Sequence, residues 1–288
     1  MTNLWIPLAL TSAFLLATSD ALTKKALSTH NVYFIAWLRL LFSLPLLGSC
    51  LFFIPVPNLD NTFYRTVLTA LPLEIIALVL YTKALKVSPM SLSLPFLSLT
   101  PVFLIIVPYL ILGESISLPG AFGVLCIAAG GYTLNINKFS EGILGPFAAI
   151  RKEKGALMMI AVAFIYSFTS ALGKKAIEHS SPVFFGVVYY IIMFVLFTPV
   201  ALFKSRGQFR KGAIRAVILP GMLDSVTNVT HMTAMSLTKV AYMISVKRLS
   251  LLIGVIYGYL FFKESGIKER LTGTLLMLAG FVIIVLYH

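Results

Sequence analysis

The stretch "LTKKAL", residues 22–27, is echoed by "LGKKAI", residues 172–177, so Lys24 and Lys25 stand 150 positions before Lys174 and Lys175. At the same offset Phe34 meets Phe184, Ala84 meets Ala234, Tyr109-Leu110 meet Tyr259-Leu260, and Glu114-Ser115 meet Glu264-Ser265. Gly123 and Leu125 meet Gly273 and Leu275, Ala129-Gly130 meet Ala279-Gly280, and acidic Glu74 meets acidic Asp224. The register runs along the chain without a gap, the mark of an internal duplication.

Composition says what is duplicated. The 288 residues are 59% hydrophobic and only 11% charged, whereas a soluble domain carries about 25% charged residues. The apolar residues come in blocks: Leu4 to Thr18, Leu40 to Leu59, Leu92 to Gly113 and Ser115 to Asn137 hold no charge. A helix needs roughly 20 apolar residues to cross the hydrocarbon core, and only helices or closed barrels satisfy their backbones there. Barrel strands would be shorter and alternate polar with apolar residues, so helices are expected. The opening "MTNLW" lacks the basic start of a signal peptide, and the first block reads as an uncleaved helix. The net charge of +13 fits lysines and arginines that flank helices and meet anionic lipid, with no nucleic-acid partner. Cys50 and Cys126 fall in apolar blocks and act as small hydrophobes. No metal-ligand spacing and no cofactor motif is present.

Cutting at charges and turn residues gives ten spans, near 4–23, 33–54, 64–82, 90–112, 118–136, 156–173, 183–203, 213–233, 240–262 and 270–287. The fold class expected is all-α integral membrane, ten transmembrane helices as two inverted five-helix repeats. Residues 1–137 form the first repeat, 138–155 a linker and 156–288 the second. Five is odd, so the second half enters the membrane upside down, as in many secondary transporters. The lysine pairs would end the first helix of each half, stems along apolar surface and ammonium groups at the headgroups.

These residues resemble the EamA-type drug/metabolite transporter superfamily. The resemblance lies in "LILGESISLPGAFGVLCIAAGGYTL" (110–134), "LFFKESGIKERLTGTLLMLAGFVIIVL" (260–286), "FIAWLRLLFSLPLL" (34–47, with Arg39) and "YTKALKVSPMSLSLPFLSLTPVFLII" (81–106). It implies a ten-helix secondary carrier, exporter or exchanger, of a small metabolite across the cell (inner) membrane, with no cofactor and no ATP site. The ninth helix, "AYMISVKRLSLLIGVIYGYL" (241–260), departs from the family's apolar, proline-containing run by holding Lys247 and Arg248. Versions with "KRLS" occur in a subset of the family, which implies a substrate subgroup.

Charges inside spans are costly and tend to function. Lys247 and Arg248 lie about 10 Å into their helix, at ~1.5 Å per residue. They read as an anion-binding wall for a carboxylate or phosphate, or as partners of Asp224 or Glu74 in an internal salt bridge. Those two carboxylates read as a cation or proton site that couples transport, or as structural partners of Lys247, Arg248 or Lys83. His231 is a proton relay or a packing histidine. Asp20 pairs locally with Lys24 at i, i+4. Glu114 and Glu264 would cap the fifth helix of each half. Pro95, Pro101 and Pro108 in the fourth helix, and Gly254 and Gly258 in the ninth, mark these as interrupted helices lining the cavity, with Tyr81 and Tyr242 as aromatic walls. Arg39 joins Lys247, Arg248, Tyr81 and Tyr242 as a substrate-binding candidate. Gly123, Gly130, Gly273 and Gly280, seven apart on one face in each half, imply close helix packing.

The family resemblance implies both termini in the cytoplasm. The charges point the other way: Arg65, Lys174, Lys175 and Lys239 share the side of the termini, and sixteen of the remaining lysines and arginines lie opposite, which favours termini outside. Two other functions were weighed. A membrane enzyme would need clustered His, Asp or Glu near one interface, which the short loops lack. A lipid-head-group flippase or a non-transporting subunit of the same fold would suit the Lys-Arg pair almost as well as a soluble anion. Partners expected are a small-molecule substrate, the lipid bilayer and a second copy in a homodimer.

Overall fold

The computed structural model describes residues 3–133, 154–205, 211–263 and 271–287. Among these residues the elements are thirteen α-helices and one 3-10 turn, with no strand. The first half holds α1 (Trp5–Leu27), α2 (Val32–Cys50), α3 (Asn61–Val87), α4 (Met90–Ser93), the 3-10 turn Leu94–Ser98, α5 (Leu99–Phe103), α6 (Val107–Leu112) and α7 (Leu118–Thr133). The second holds α8 (Lys154–Glu178), α9 (Pro182–Lys204), α10 (Lys211–Leu237), α11 (Val240–Lys247), α12 (Ser250–Phe262) and α13 (Leu271–Tyr287). Glu264 and most of the 138–155 linker lie outside the described residues.

Among the described residues six helical runs are long and apolar enough to cross a membrane: α1, α2, α3, α8, α9 and the α11–α12 run Val240–Phe262. Ten were expected from the sequence. The fourth span falls into pieces because Pro95, Pro101 and Pro108 each remove a backbone donor. α7 and α13, at 16 and 17 residues, are shorter, and α10 carries Asp224, Asn228 and His231 along its length. The ninth span also breaks, at Arg248 and Leu249 between α11 and α12. Just before the break the Ser245 hydroxyl bonds back to the Ala241 carbonyl at 2.6 Å, a contact that bends helices. Matched spans of the two halves are thus both interrupted. They also end alike: Gly113 after α6 has φ 72° and Lys263 after α12 has φ 54°, and these positions are 150 apart.

The halves interlock rather than sit side by side: α1 packs on α10, α3 on α8, α2 on α9 and α7 on α13. The glycines explain the last pair. A Cβ on Gly280 would stand 2.6 Å from the Gly123 carbonyl oxygen, and one on Gly130 would stand 2.6 Å from that of Gly273. The two helices therefore run antiparallel in backbone contact, which only glycine permits at the crossing.

Lys24 and Lys174, the first lysine of each pair, do something other than reach for headgroups. Lys24 Nζ donates to the carbonyls of Leu85 at 3.1 Å and Ser88 at 2.6 Å. Lys174 Nζ donates to those of Met235 at 2.8 Å, Ser236 at 3.4 Å and Thr238 at 3.2 Å. Met235 and Thr238 are the images of Leu85 and Ser88 at the repeat offset. Each lysine thus closes the C-terminal end of the third helix of its own half, where carbonyls lack helical partners and the dipole favours a cation. This explains why a greasy chain keeps Lys24 and Lys174 at matched positions. The local Asp20–Lys24 pair expected from i, i+4 spacing does not form, since Lys24 is turned to α3.

Glu114 also differs from expectation. Its carboxylate accepts the Val240 N–H at 3.0 Å, so it caps α11 of the opposite half and not α7. Burial pushes this carboxyl above its usual range, against the pull of that amide. At the same rim Asp60 caps α3 through the Phe63 N–H at 2.8 Å and meets His179 Nδ1 of the other half at 2.7 Å.

Candidate functional site

A cavity of about 190 Å³ opens between the halves, lined from α1, α2, α3, α8, α9, α10 and α11 with Arg248 just beyond. Its polar wall is built in two clusters. In the first, α2 presents Arg39 to α10: Nε donates to Asp224 Oδ2 and Nη2 to Asp224 Oδ1, both at 2.8 Å. Ser19 Oγ on α1 donates to the same Oδ1 at 2.7 Å and accepts from Arg39 Nη2 at 3.2 Å. Arg39 Nη1 lies 3.6 Å from Asp20 Oδ1, and Asp20 Oδ2 accepts the Tyr81 hydroxyl. Arg39, Asp20 and Asp224 are all buried. This forked arginine–carboxylate geometry fixes α1, α2, α3 and α10 to one another.

The second cluster sits where α11 stops. Lys247 Nζ lies within hydrogen-bond distance of His231 Nδ1, at 3.0 Å. Arg248 Nη2 donates to Thr100 Oγ1 at 2.8 Å, and its guanidinium lies 5.9 Å from the centre of the Tyr166 ring. Arg248 is 4% exposed, yet its Nε has no acceptor. Among the described residues no carboxylate stands within ion-pair distance of Lys247 or Arg248. The internal salt bridge to Asp224 is ruled out because Arg39 occupies that carboxylate on both oxygens. Lys247 and Arg248 are adjacent and point about 100° apart, and both line this cavity.

The structure therefore brings Lys247, Arg248, Arg39, Tyr81, Glu74, Asp224 and His231 to one cavity. It leaves Tyr242 out. Tyr242 is 1% exposed, its hydroxyl bonds to Ser117 N at 3.1 Å and Ser117 Oγ at 3.2 Å, and it packs under Gly120. It is a lock between α11 and α7. The fourth span contributes no lining residue; it stands behind the wall, where Thr100 holds Arg248. Glu74 faces the Thr169 hydroxyl. Sequence reasoning missed Ser19, Tyr166, Thr169, Tyr189, Tyr190 and Asn228, all of which except Ser19 line the cavity. The repeat offset held a signal for two of them: Ser19 and Thr169 are images of each other.

No curated protein matches the chain. A solved crystal structure superposes on it with a TM-score of 0.77, over 99% of this chain and 98% of its own, at 13% identity; at that identity the likeness shows the fold alone. One family model, described as the EamA-like transporter family, matches twice, over residues 3–136 and 153–286. The two matches begin and end at the offset by which the lysine pairs are separated. Nearly the whole chain is covered, helix for helix, and it belongs to the EamA-like transporter family of multi-pass membrane transporters.

Proposed function

We propose that the chain is a secondary transporter of a small organic anion, a carboxylate or a phosphate ester, across the cell (inner) membrane. It works by alternating access between two inverted five-helix repeats. The observation that carries the substrate class is the basic pair: Lys247 and Arg248 face the cavity with no carboxylate partner, and Arg248 leaves a buried donor unused. A buried charge without a partner is expensive, and an anionic ligand would offset that cost. The interlocked helix pairs, each joining one half to the other, and the interrupted fourth and ninth spans support the inverted-repeat reading. On this reading the broken fourth span and the helices α7, α10 and α13 complete ten crossings.

A thermal-shift screen of the purified protein tests the substrate class. Carboxylates, phosphate esters, amines and neutral sugars are compared on wild type and on Lys247→Met/Arg248→Met. A ligand bound by the native state alone must raise the melting temperature. A shift by anions, lost in the double variant, is expected. A shift by amines or sugars, or one that survives the double variant, overturns the anion reading.

A further inference from the structure

The repeat offset superposes two carboxylates, and their surroundings differ at one position. Asp224 meets Ser19 and Arg39. Its image Glu74 meets Thr169, the image of Ser19, and shares the cavity wall with Tyr189, the image of Arg39. The hydroxyl is kept and the arginine is replaced by a tyrosine. One carboxylate is neutralised by a forked guanidinium. The other has no lysine, arginine or histidine within ion-pair distance among the described residues.

Charge balance turns this difference into a mechanism. The cavity carries three cations, Arg39, Lys247 and Arg248, and three carboxylates, Asp20, Glu74 and Asp224. His231, 3.0 Å from Lys247, shares a single charge with it, since two adjacent cations repel. At formal charges, with one charge on the His231–Lys247 pair, the empty cavity balances. A bound monoanion would leave one uncompensated negative charge in a water-poor space, a costly state. Arg39 binds both oxygens of Asp224 and stands 3.6 Å from Asp20. Glu74 is the carboxylate free to accept a proton. Facing it are Thr169 and Tyr166 from α8, Tyr189 and Tyr190 from α9 and Lys247 from α11; Tyr81 on α3 and His231 on α10 complete the titratable wall.

We infer that Glu74 is the proton carrier of the transport cycle: it takes up one proton as the substrate anion binds Lys247 and Arg248, so anion and proton cross together. The inference rests on the anion reading above, and its test separates the two. In lipid nanodiscs, infrared difference spectra between acidic and alkaline buffer should show a carboxylic-acid carbonyl band that Glu74→Gln removes and Asp224→Asn leaves in place. This arm needs no ligand. In weakly buffered solution, benzoate and dimethyl phosphate, both fully ionised monoanions at neutral pH, are then added while a soluble dye reports proton uptake. Wild type should take up one proton per anion bound; Glu74→Gln should bind without uptake. A band that survives Glu74→Gln, or uptake that survives it, overturns the inference. So does anion binding by wild type without uptake. If neither anion binds wild type but the Glu74 band is present, the anion reading has failed and the joint crossing with it, while Glu74 stands as a protonatable group.

Discussion

The two halves agree at their edges and disagree in their middle. Lys24 and Lys174 make the same bonds to the same carbonyl positions, and Gly113 and Lys263 turn the chain in the same left-handed conformation. In the cavity, by contrast, Arg39 stands opposite Tyr189, Tyr81 opposite His231, and Lys247 opposite Leu97. Edge residues solve a problem both halves share, namely how to end a helix or pack two backbones. Cavity residues face one substrate together. A small metabolite has no two-fold axis, so the two sides of its site are free to diverge and a charge placed on one side has no reason to recur on the other.

The largest effect that would break this contrast is expected at Arg39. Removing one partner of a buried ion pair costs about 3–5 kcal/mol because the other charge is left uncompensated. Arg39→Leu leaves both Asp20 and Asp224 without their cation, so loss of most folded protein in detergent is expected. Tyr189→Phe at the matched position removes a hydroxyl and no ion pair, and should cost about 1 kcal/mol or less. Equal losses at both would mean that the halves have not diverged. Next come the lysines. Lys24→Met and Lys174→Met each remove charge-assisted bonds worth about 1.5–3 kcal/mol, and the two melting temperatures should fall together. Lys25→Met, whose side chain is exposed, should change little. A loss at one lysine only would show that the shared geometry is not shared energetics.

Much of this was legible in the sequence. The offset established the duplication, uncharged blocks established the helices, and Pro95, Pro101 and Pro108 marked the broken span. Misreadings arose where a local rule met a distant partner. Lys24 was assigned to headgroups and Asp20 to Lys24, because nothing near residue 24 announces that the carbonyls of Leu85 and Ser88 end beside it. Glu114 was assigned to the helix that follows it in sequence, whereas the orphan N–H it caps belongs to residue 240. Tyr242 was avoidable: five residues before Lys247, it points about 140° away on a regular helix. Tyr189 was legible too, as the image of Arg39, had the register been applied to the charged residues themselves and not only to the matching ones.

The smallest expected effect concerns the one edge position where the halves solve a shared problem with different residues. Gly113 and Lys263 both end the second part of an interrupted span with positive φ. Glycine adopts that conformation freely; a residue with a Cβ pays roughly 1–2 kcal/mol in it. Lys263→Gly relieves this strain but loosens the unfolded chain, an opposing term of about 0.5–1 kcal/mol. The net expectation is a gain of about 1 kcal/mol, seen as a modest rise in melting temperature. Gly113→Ala should shift it the opposite way by a similar amount, since a Cβ there meets open space and only the backbone conformation opposes it. If Lys263→Gly instead lowers the melting temperature, the lysine side chain contributes more at that membrane edge than its backbone costs, and the two turns are alike in shape but not in what holds them.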